Sequence, residues 1–259
     1  MHKNIRRFLA AAALLLPVAV FANEGGAHLD KAPIDLHNPE SLQRGAQTFA
    51  NYCLSCHSAL NMRYNRLQDL GLTEDQIKAN LMFATDKVGE QMKVAMQAPD
   101  AKVWFGAVPP DLSVIARARG ADWLYTYLRT FYRDDTRPTG WNNIAFDKVG
   151  MPHALWELQG IQEPVYKTVK NHESGKEEQV LEGVKLVKPG LLTQISEDGK
   201  YDQTEYNKRV ADLVNYLVYV SEPAQVKREQ IGYFVLLFLL FVLVPISYLL
   251  KKEYWRDVH

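Results

Sequence analysis

Residues 53–57 read Cys53-Leu54-Ser55-Cys56-His57, and these are the only two cysteines in the 259-residue chain. Two thiols separated by two residues can reach the two vinyl groups of a single porphyrin and form thioethers. The imidazole that follows is then held where it can ligate the iron, so the pattern is that of covalent c-type haem attachment. Two other chemistries use closely spaced thiols. A closed zinc site needs four ligands, and no second cysteine pair exists to supply them. A thioredoxin-like thiol pair needs a βαβ setting, which the surrounding pattern lacks. A disulfide closing so short a loop would constrain little of the chain.

A second axial ligand must come from elsewhere. The histidine candidates are His28, His37, His153 and His172; the methionine candidates are Met62, Met82, Met92, Met96 and Met151. Met62 lies too close to His57 to reach the opposite haem face. Met82, Met92 and Met96 fall on predicted helices, where a methionine usually fills a core. Met151 sits in Gly150-Met151-Pro152, within a stretch rich in turn residues that can fold over a flat cofactor and present sulfur to it. Met151 is therefore the preferred candidate, with His153 as the alternative two residues on.

The elements that must position these groups are mainly helical. Residues 40–52 are expected to form a short helix leading into Cys53. Residues 73–98 are helix-rich, opening on a Thr73/Gln76 capping box and placing Leu81, Met82, Val88 and Met92 among the apolar positions. After Val108-Pro109-Pro110, the Asp111-Leu112-Ser113 stretch opens a helix expected to run from about 113 to 131. Residues 134–153 are loop-like, marked by Pro138, Gly140, Asn142-Asn143, Gly150 and Pro152. The polar stretch 160–200 suits a hairpin or a surface excursion. Val210, Leu213, Val214 and Leu217 make one apolar face of a helix over 204–220, which Glu222-Pro223 ends, and a charged linker follows over 224–230.

Both ends point to a membrane. Lys3, Arg6 and Arg7 precede an uncharged run from Phe8 to Phe21 that closes on Ala22, the layout of a cleaved export signal over residues 1–22. Ile231 to Leu250 is uncharged, and a helix of that length covers ~30 Å, enough to cross a bilayer. Lys251, Lys252 and Arg256 follow it, as on a cytoplasmic flank. The expected organisation is thus a signal at 1–22, an exported body at 23–230, an anchor at 231–250 and a tail at 251–259. The whole chain has zero formal net charge. Without the two ends, 24 bases face 28 acids, which argues against a nucleic-acid partner held by a basic surface.

Several of these pieces occur together in cytochrome c1, the haem subunit of bacterial cytochrome bc1 complexes, and from about Arg44 onward the chain resembles that family. The matching residues are Arg44-Gly45, Cys53 to Ser58 with Arg63-Tyr64, Pro109 to Ser113 with Arg117-Ala118-Arg119, Gly150-Met151-Pro152, Glu222-Pro223, and the single C-terminal anchor followed by bases. The resemblance implies a mainly α, cytochrome c-like haem domain with loop insertions and one C-terminal transmembrane helix. It implies one covalent haem c held by Cys53 and Cys56, with His57 and Met151 on the iron, Arg119 near a propionate and Pro110 in the pocket wall. It further implies the redox subunit of a ubiquinol–cytochrome c oxidoreductase, without turnover of its own. Electrons would pass from a Rieske iron–sulfur protein to a soluble or tethered cytochrome c, beside cytochrome b and membrane lipid, with the haem domain on the periplasmic side of a bacterial inner membrane. Where some relatives carry a tyrosine after the arginine pair, Trp123 stands here and inherits no role. The extra disulfide of some relatives cannot form with two cysteines. Two other functions use the same haem motif: an anchored cytochrome serving a terminal oxidase or another dehydrogenase, and a haem sensor with an open axial position. Acidic residues suited to a basic partner are Asp134, Asp135, Glu173, Glu177 and Glu178.

Overall fold

The computed structural model describes residues 28–170 and 177–256. The expected signal at 1–22, His172, Glu173 and the last three residues of the tail lie outside them. The core is a crossing of two helices from opposite ends of the body, α1 (Pro39–Tyr52) and the long helix Thr204–Ser221. Helix α1 begins where Asn38 Oδ1 accepts from Ser41 N (3.0 Å) and Pro39 fills a position that needs no N–H donor. The helices meet at Gly45, where a Cβ would lie 2.1 Å from the Asp212 carbonyl oxygen. At the same crossing the Arg44 guanidinium donates to Asp212 Oδ2 (2.6 Å) and Ser41 Oγ donates to Asp212 Oδ1 (2.6 Å). The buried carboxylate is thereby paired and hydrogen-bonded, the condition for tolerating a charge in a core. Val210, Leu213, Val214 and Leu217 are all buried on this face, as their spacing requires.

Between these helices the chain adds short elements. They are β1 (Ala59–Arg63), a 3-10 helix (Tyr64–Leu70), α2 (Glu74–Leu81), β2 (Gln91–Met92), α3 (Ala98–Phe105), α4 (Ile115–Arg119) and α5 (Ala121–Arg129). The hairpin β3–β4 (Phe131–Arg133, Trp141–Asn143), α6 (Trp156–Gln159), the hairpin β5–β6 (Gly160–Lys170, Glu177–Pro189) and β7–β8 (Gln194–Ile195, Tyr201–Asp202) follow; the helix Thr204–Ser221 is α7. Every sheet among the described residues is a two-stranded antiparallel pair. The body is mainly helical.

Three expectations need correction. The capping box at Thr73 forms with both its bonds, but α2 ends at Leu81. Met82 turns extended, so Met92 lies in strand β2 and Met96 in a bend. The helix expected over 113–131 is two helices, broken at Gly120 with φ 86° and ψ 151°, a conformation open to glycine. The 160–200 stretch takes the first of its two expected forms, a regular hairpin with strands of 11 and 13 residues. Its root is buried: Gln162 Nε2 donates to the carbonyls of Arg129 and Phe131, and Leu186 is enclosed. The linker expected over 224–230 is helical from Gln225 and continuous with the apolar run.

That last helix, α8 (Gln225–Tyr254), has 30 residues, and none of its most apolar stretch is buried. It has the length and composition of one membrane-crossing helix. A π turn at Leu239–Leu243 precedes Pro245, whose missing N–H leaves an i−4 carbonyl unbonded, one of the known causes of such irregularity.

Candidate cofactor site

Helix α1 delivers the two cysteines. Cys53 N still donates to Phe49 O (2.9 Å), and the next turn closes through Cys56 N and His57 N to Cys53 O at 3.0 and 2.8 Å. Neither thiol is in a disulfide, and burial pushes the Cys53 thiol up to about 12. Next to them, Ser58 O accepts from Leu112 N (2.8 Å). Asp111 Oδ2 accepts from Leu60 N (2.9 Å), and Ser113 Oγ accepts from Asn61 N (3.0 Å). These three bonds lay the Pro110–Ser113 segment along β1 and bring the Pro110 carbonyl to 2.7 Å from His57 Nδ1. A carbonyl only accepts, so Nδ1 carries the proton and Nε2 keeps its lone pair, the tautomer and orientation suited to a metal ligand. Burial lowers the imidazole's proton affinity, and the Pro110 bond opposes that.

All six candidate site residues line one cavity of about 400 Å³: Cys53, Cys56, His57, Pro110, Arg119 and Met151. The remaining wall is almost entirely apolar and includes Tyr52, Phe105, Leu124, Leu128, Leu213 and Leu217. The volume falls within the ~300–1,000 Å³ typical of cofactor pockets. The donor set fits a covalently attached haem: two unpaired thiols, an imidazole with free Nε2 and a thioether, in a pocket that would exclude water. No cluster of three or more His, Cys, Asp or Glu occurs among the described residues, so the donors do not resemble a bare-metal site.

The cavity's far side rests on α5 and the loop after β4. Tyr127 O–H donates to Met151 Sδ at 3.4 Å. Trp123 stacks on Tyr127 with ring centroids 4.7 Å apart, and the Arg119 guanidinium lies over Trp123 at 5.1 Å and Phe146 at 5.9 Å. His153 does not reach the cavity. It is 2 % exposed, stacked on Phe131 and hydrogen-bonded to Gln159 Oε1 (2.8 Å), and burial lowers its pKa to about 4. Of the two candidates, Met151 lines the cavity and His153 does not. Met62 and Met92 are core residues, Met82 is buried and Met96 half-buried, and none of them lines the cavity. His28 and His37 are likewise absent from its wall.

Residues 29–258 match the cytochrome C1 family. The chain belongs to that family. It is 51% identical to the ammonia monooxygenase gamma subunit of Nitrosomonas europaea, over 98% of both chains. It is equally, 51%, identical to cytochrome c1 of Allochromatium vinosum, over 97% of this chain and 98% of that one. Cytochrome c1 of Rhodospirillum rubrum is 30% identical, over 100% and 99% of the two. Membership of the cytochrome C1 family carries a redox, respiratory-type role at the level of the family, and the two 51% relatives bear different names.

Sequence reasoning passed over Tyr127 and Phe146 in this wall and gave Trp123 no role. Trp123 and Tyr127 are four residues apart on one helix face, a spacing that marks them as neighbours but not as cavity residues. Of the acidic docking candidates, Asp134 is tied to Thr136 and Asn142, and Asp135 pairs with Arg133 at 3.3 Å while staying exposed. Glu177 and Glu178 are exposed on the hairpin.

Proposed function

We propose that this chain is a membrane-anchored haem c subunit that relays single electrons within a ubiquinol–cytochrome c oxidoreductase. The observation that carries the reading is the convergence of both thiols, His57 and Met151 on one apolar cavity, with His57 Nδ1 engaged by the Pro110 carbonyl. Cys53 and Cys56 would hold the haem as thioethers; His57 Nε2 and Met151 Sδ would ligate its iron. When bound, the haem supplies a one-electron couple. The chain's own residues exclude water from it, fix the imidazole's orientation, and place the Arg119 charge at the cavity for a propionate. Two protein ligands leave no open coordination position, which favours a relay over a haem sensor or catalyst. Thioether sulfur favours ferrous iron and so keeps the potential high.

In this reading residues 1–22 are a cleaved signal, 23–230 the periplasmic haem domain, 231–250 the anchor in a bacterial inner membrane and 251–259 the cytoplasmic tail. Cytochrome b and a Rieske protein are the partners in the complex, and a soluble or tethered cytochrome c is the acceptor. A second reading, service to an ammonia monooxygenase, is favoured by the relative of that name. The two separate on purification in mild detergent through a tag placed after His259. Recovery of cytochrome b and a Rieske protein supports the first reading. Recovery of monooxygenase subunits overturns it in favour of the second, and recovery of oxidase subunits overturns both.

A further inference from the structure

The segment from Ile144 to Pro152 has no regular structure, yet it carries Phe146, Val149, Gly150 and Met151 into the cavity wall. Its shape is held by two adjacent side chains at the end of β4. Asn143 is 1 % exposed and Asn142 5 %. Asn143 Oδ1 accepts from Ala145 N (2.8 Å) and Phe146 N (3.2 Å), while its Nδ2 donates to the Tyr127 carbonyl (2.7 Å). Asn142 Oδ1 accepts from Lys148 N and Asn143 N, both at 2.9 Å; its Nδ2 donates to Asp134 Oδ2 (3.1 Å) and Asp147 Oδ1 (3.0 Å). Lys148, whose N–H is thus tied, has φ 58°, an unfavourable conformation for a side chain with a Cβ.

Tyr127 closes the circuit. Its carbonyl receives Asn143 and its hydroxyl donates to Met151 Sδ, so one residue of α5 is bonded to both the brace and the thioether it serves. An aspartate at 143 would keep the two acceptor contacts but lose the donor. An alanine would leave the Tyr127 carbonyl only its long bond from Thr130 N (3.4 Å) and take the acceptor from the part-buried N–H groups of Ala145 and Phe146, and each unmade bond away from water is costly.

We infer that Asn143, seconded by Asn142, is the positioning residue of the Met151 loop, holding the thioether at the cavity by binding the loop backbone to Tyr127. This rests on the reading of Met151 as a haem ligand. The brace acts through Met151 and touches no reacting atom itself.

The test uses the full-length protein in detergent, with Asn143→Ala and Asn143→Asp beside the wild type. The probes are haem staining on a denaturing gel, the sulfur-to-iron absorption band of the ferric protein, and the rate of cyanide binding to ferric haem. With the brace as described, both variants keep covalent haem. Asn143→Ala loses most of the sulfur band and binds cyanide at least about tenfold faster, as a lost buried hydrogen-bond set implies. Asn143→Asp, which sets a carboxylate oxygen against the Tyr127 carbonyl, weakens the band and speeds cyanide binding as well. Unchanged band and cyanide rate in both variants overturn the inference. Should neither variant accumulate, amide hydrogen exchange in the wild type decides. Protection at Ala145, Phe146 and Lys148 supports the brace, and exchange at the rate of free loop amides overturns it. A wild type without covalent haem or without the sulfur band refutes the functional reading instead, and the exchange measurement still judges the brace.

Discussion

Replacing Gly45 by alanine tests the helix crossing on which the cavity is built. The added Cβ would lie 2.1 Å from the Asp212 carbonyl oxygen, 2.6 Å from Tyr216 Cβ and 2.8 Å from the Asp212 carbonyl carbon. None of these is the end of a flexible side chain, so no rotamer change relieves the clash. Ordinary contact requires α1 and α7 to separate by more than 1 Å. That movement stretches the Arg44–Asp212 and Ser41–Asp212 bonds, both 2.6 Å, and the packing of Phe49 on Tyr216 at 5.7 Å. Overpacking of this kind costs about 3 kcal/mol, at the upper end of the usual range. Against it, alanine is favoured over glycine inside a helix by about 1 kcal/mol. The net is a loss of about 2 kcal/mol, or a Tm lower by roughly 4–8 °C for a body of this size. Thermal unfolding of the full chain in detergent, followed by near-ultraviolet circular dichroism, measures it. An unchanged or raised Tm would mean that helix propensity outweighs the contact, and the close crossing would be wrong.

Four further outcomes follow from the site and its supports. Met151→Leu keeps covalent haem but lowers the reduction potential in a redox titration; an unchanged potential removes Met151 from the iron. Tyr127→Phe removes an O–H···S bond that withdraws electron density from the thioether, so the potential falls, by roughly 40 mV for a bond of about 1 kcal/mol. A rise would reverse the argument. Cys53→Ala leaves at most one thioether, and haem staining of the denatured chain should drop sharply relative to the wild type. Glu222 receives Arg228 and lies 3.8 Å from Arg117, tying the root of α8 to α4; the Arg228 bond holds its carboxyl below the usual range. A depressed carboxylate stabilises the folded joint above its unfolded pKa and loses that contribution as pH falls through the folded value. Protease cutting over 222–228 should therefore rise at acidic pH, and Glu222→Gln should show the higher rate already at neutral pH.

How legible the molecule is from its sequence depends on how local each feature is. Helices α1 and α7 announce themselves through apolar spacing and end signals, and the Thr73/Gln76 box is a four-residue pattern that forms as written. The break at Gly120 and the early end of α2 are not legible, because continued helix periodicity does not reveal one glycine's φ or one residue's turn to extended backbone. The β5–β6 hairpin is one of the two forms expected there, but its length is not legible, because charged residues alternate irregularly with the exposed Val165, Tyr166, Val169, Val180 and Val187, and only a few residues at its root are buried. In the site, the thiols and His57 fall within five consecutive residues and stand out at once. The Pro110 carbonyl's bond to His57 depends on Asp111 and Ser113 reaching β1, some fifty residues back. Tyr127 and Asn143 act only through contacts between separate elements, and nothing in their neighbours' types marks them. His153 looked like a competitor because it is two residues from Met151, but the turn between them sends its ring into the core.

The central claim is that Cys53 and Cys56 carry one haem whose iron is closed by His57 and Met151. Its most direct test is mass spectrometry of the peptide containing residues 53–57 from the purified full chain, joined to the ferric absorption spectrum of the same sample. The account predicts one haem covalently bound to that peptide and a low-spin spectrum with the sulfur-to-iron band. A peptide with two free thiols, or a haem-bearing chain whose ferric spectrum is high-spin and lacks that band, would contradict it.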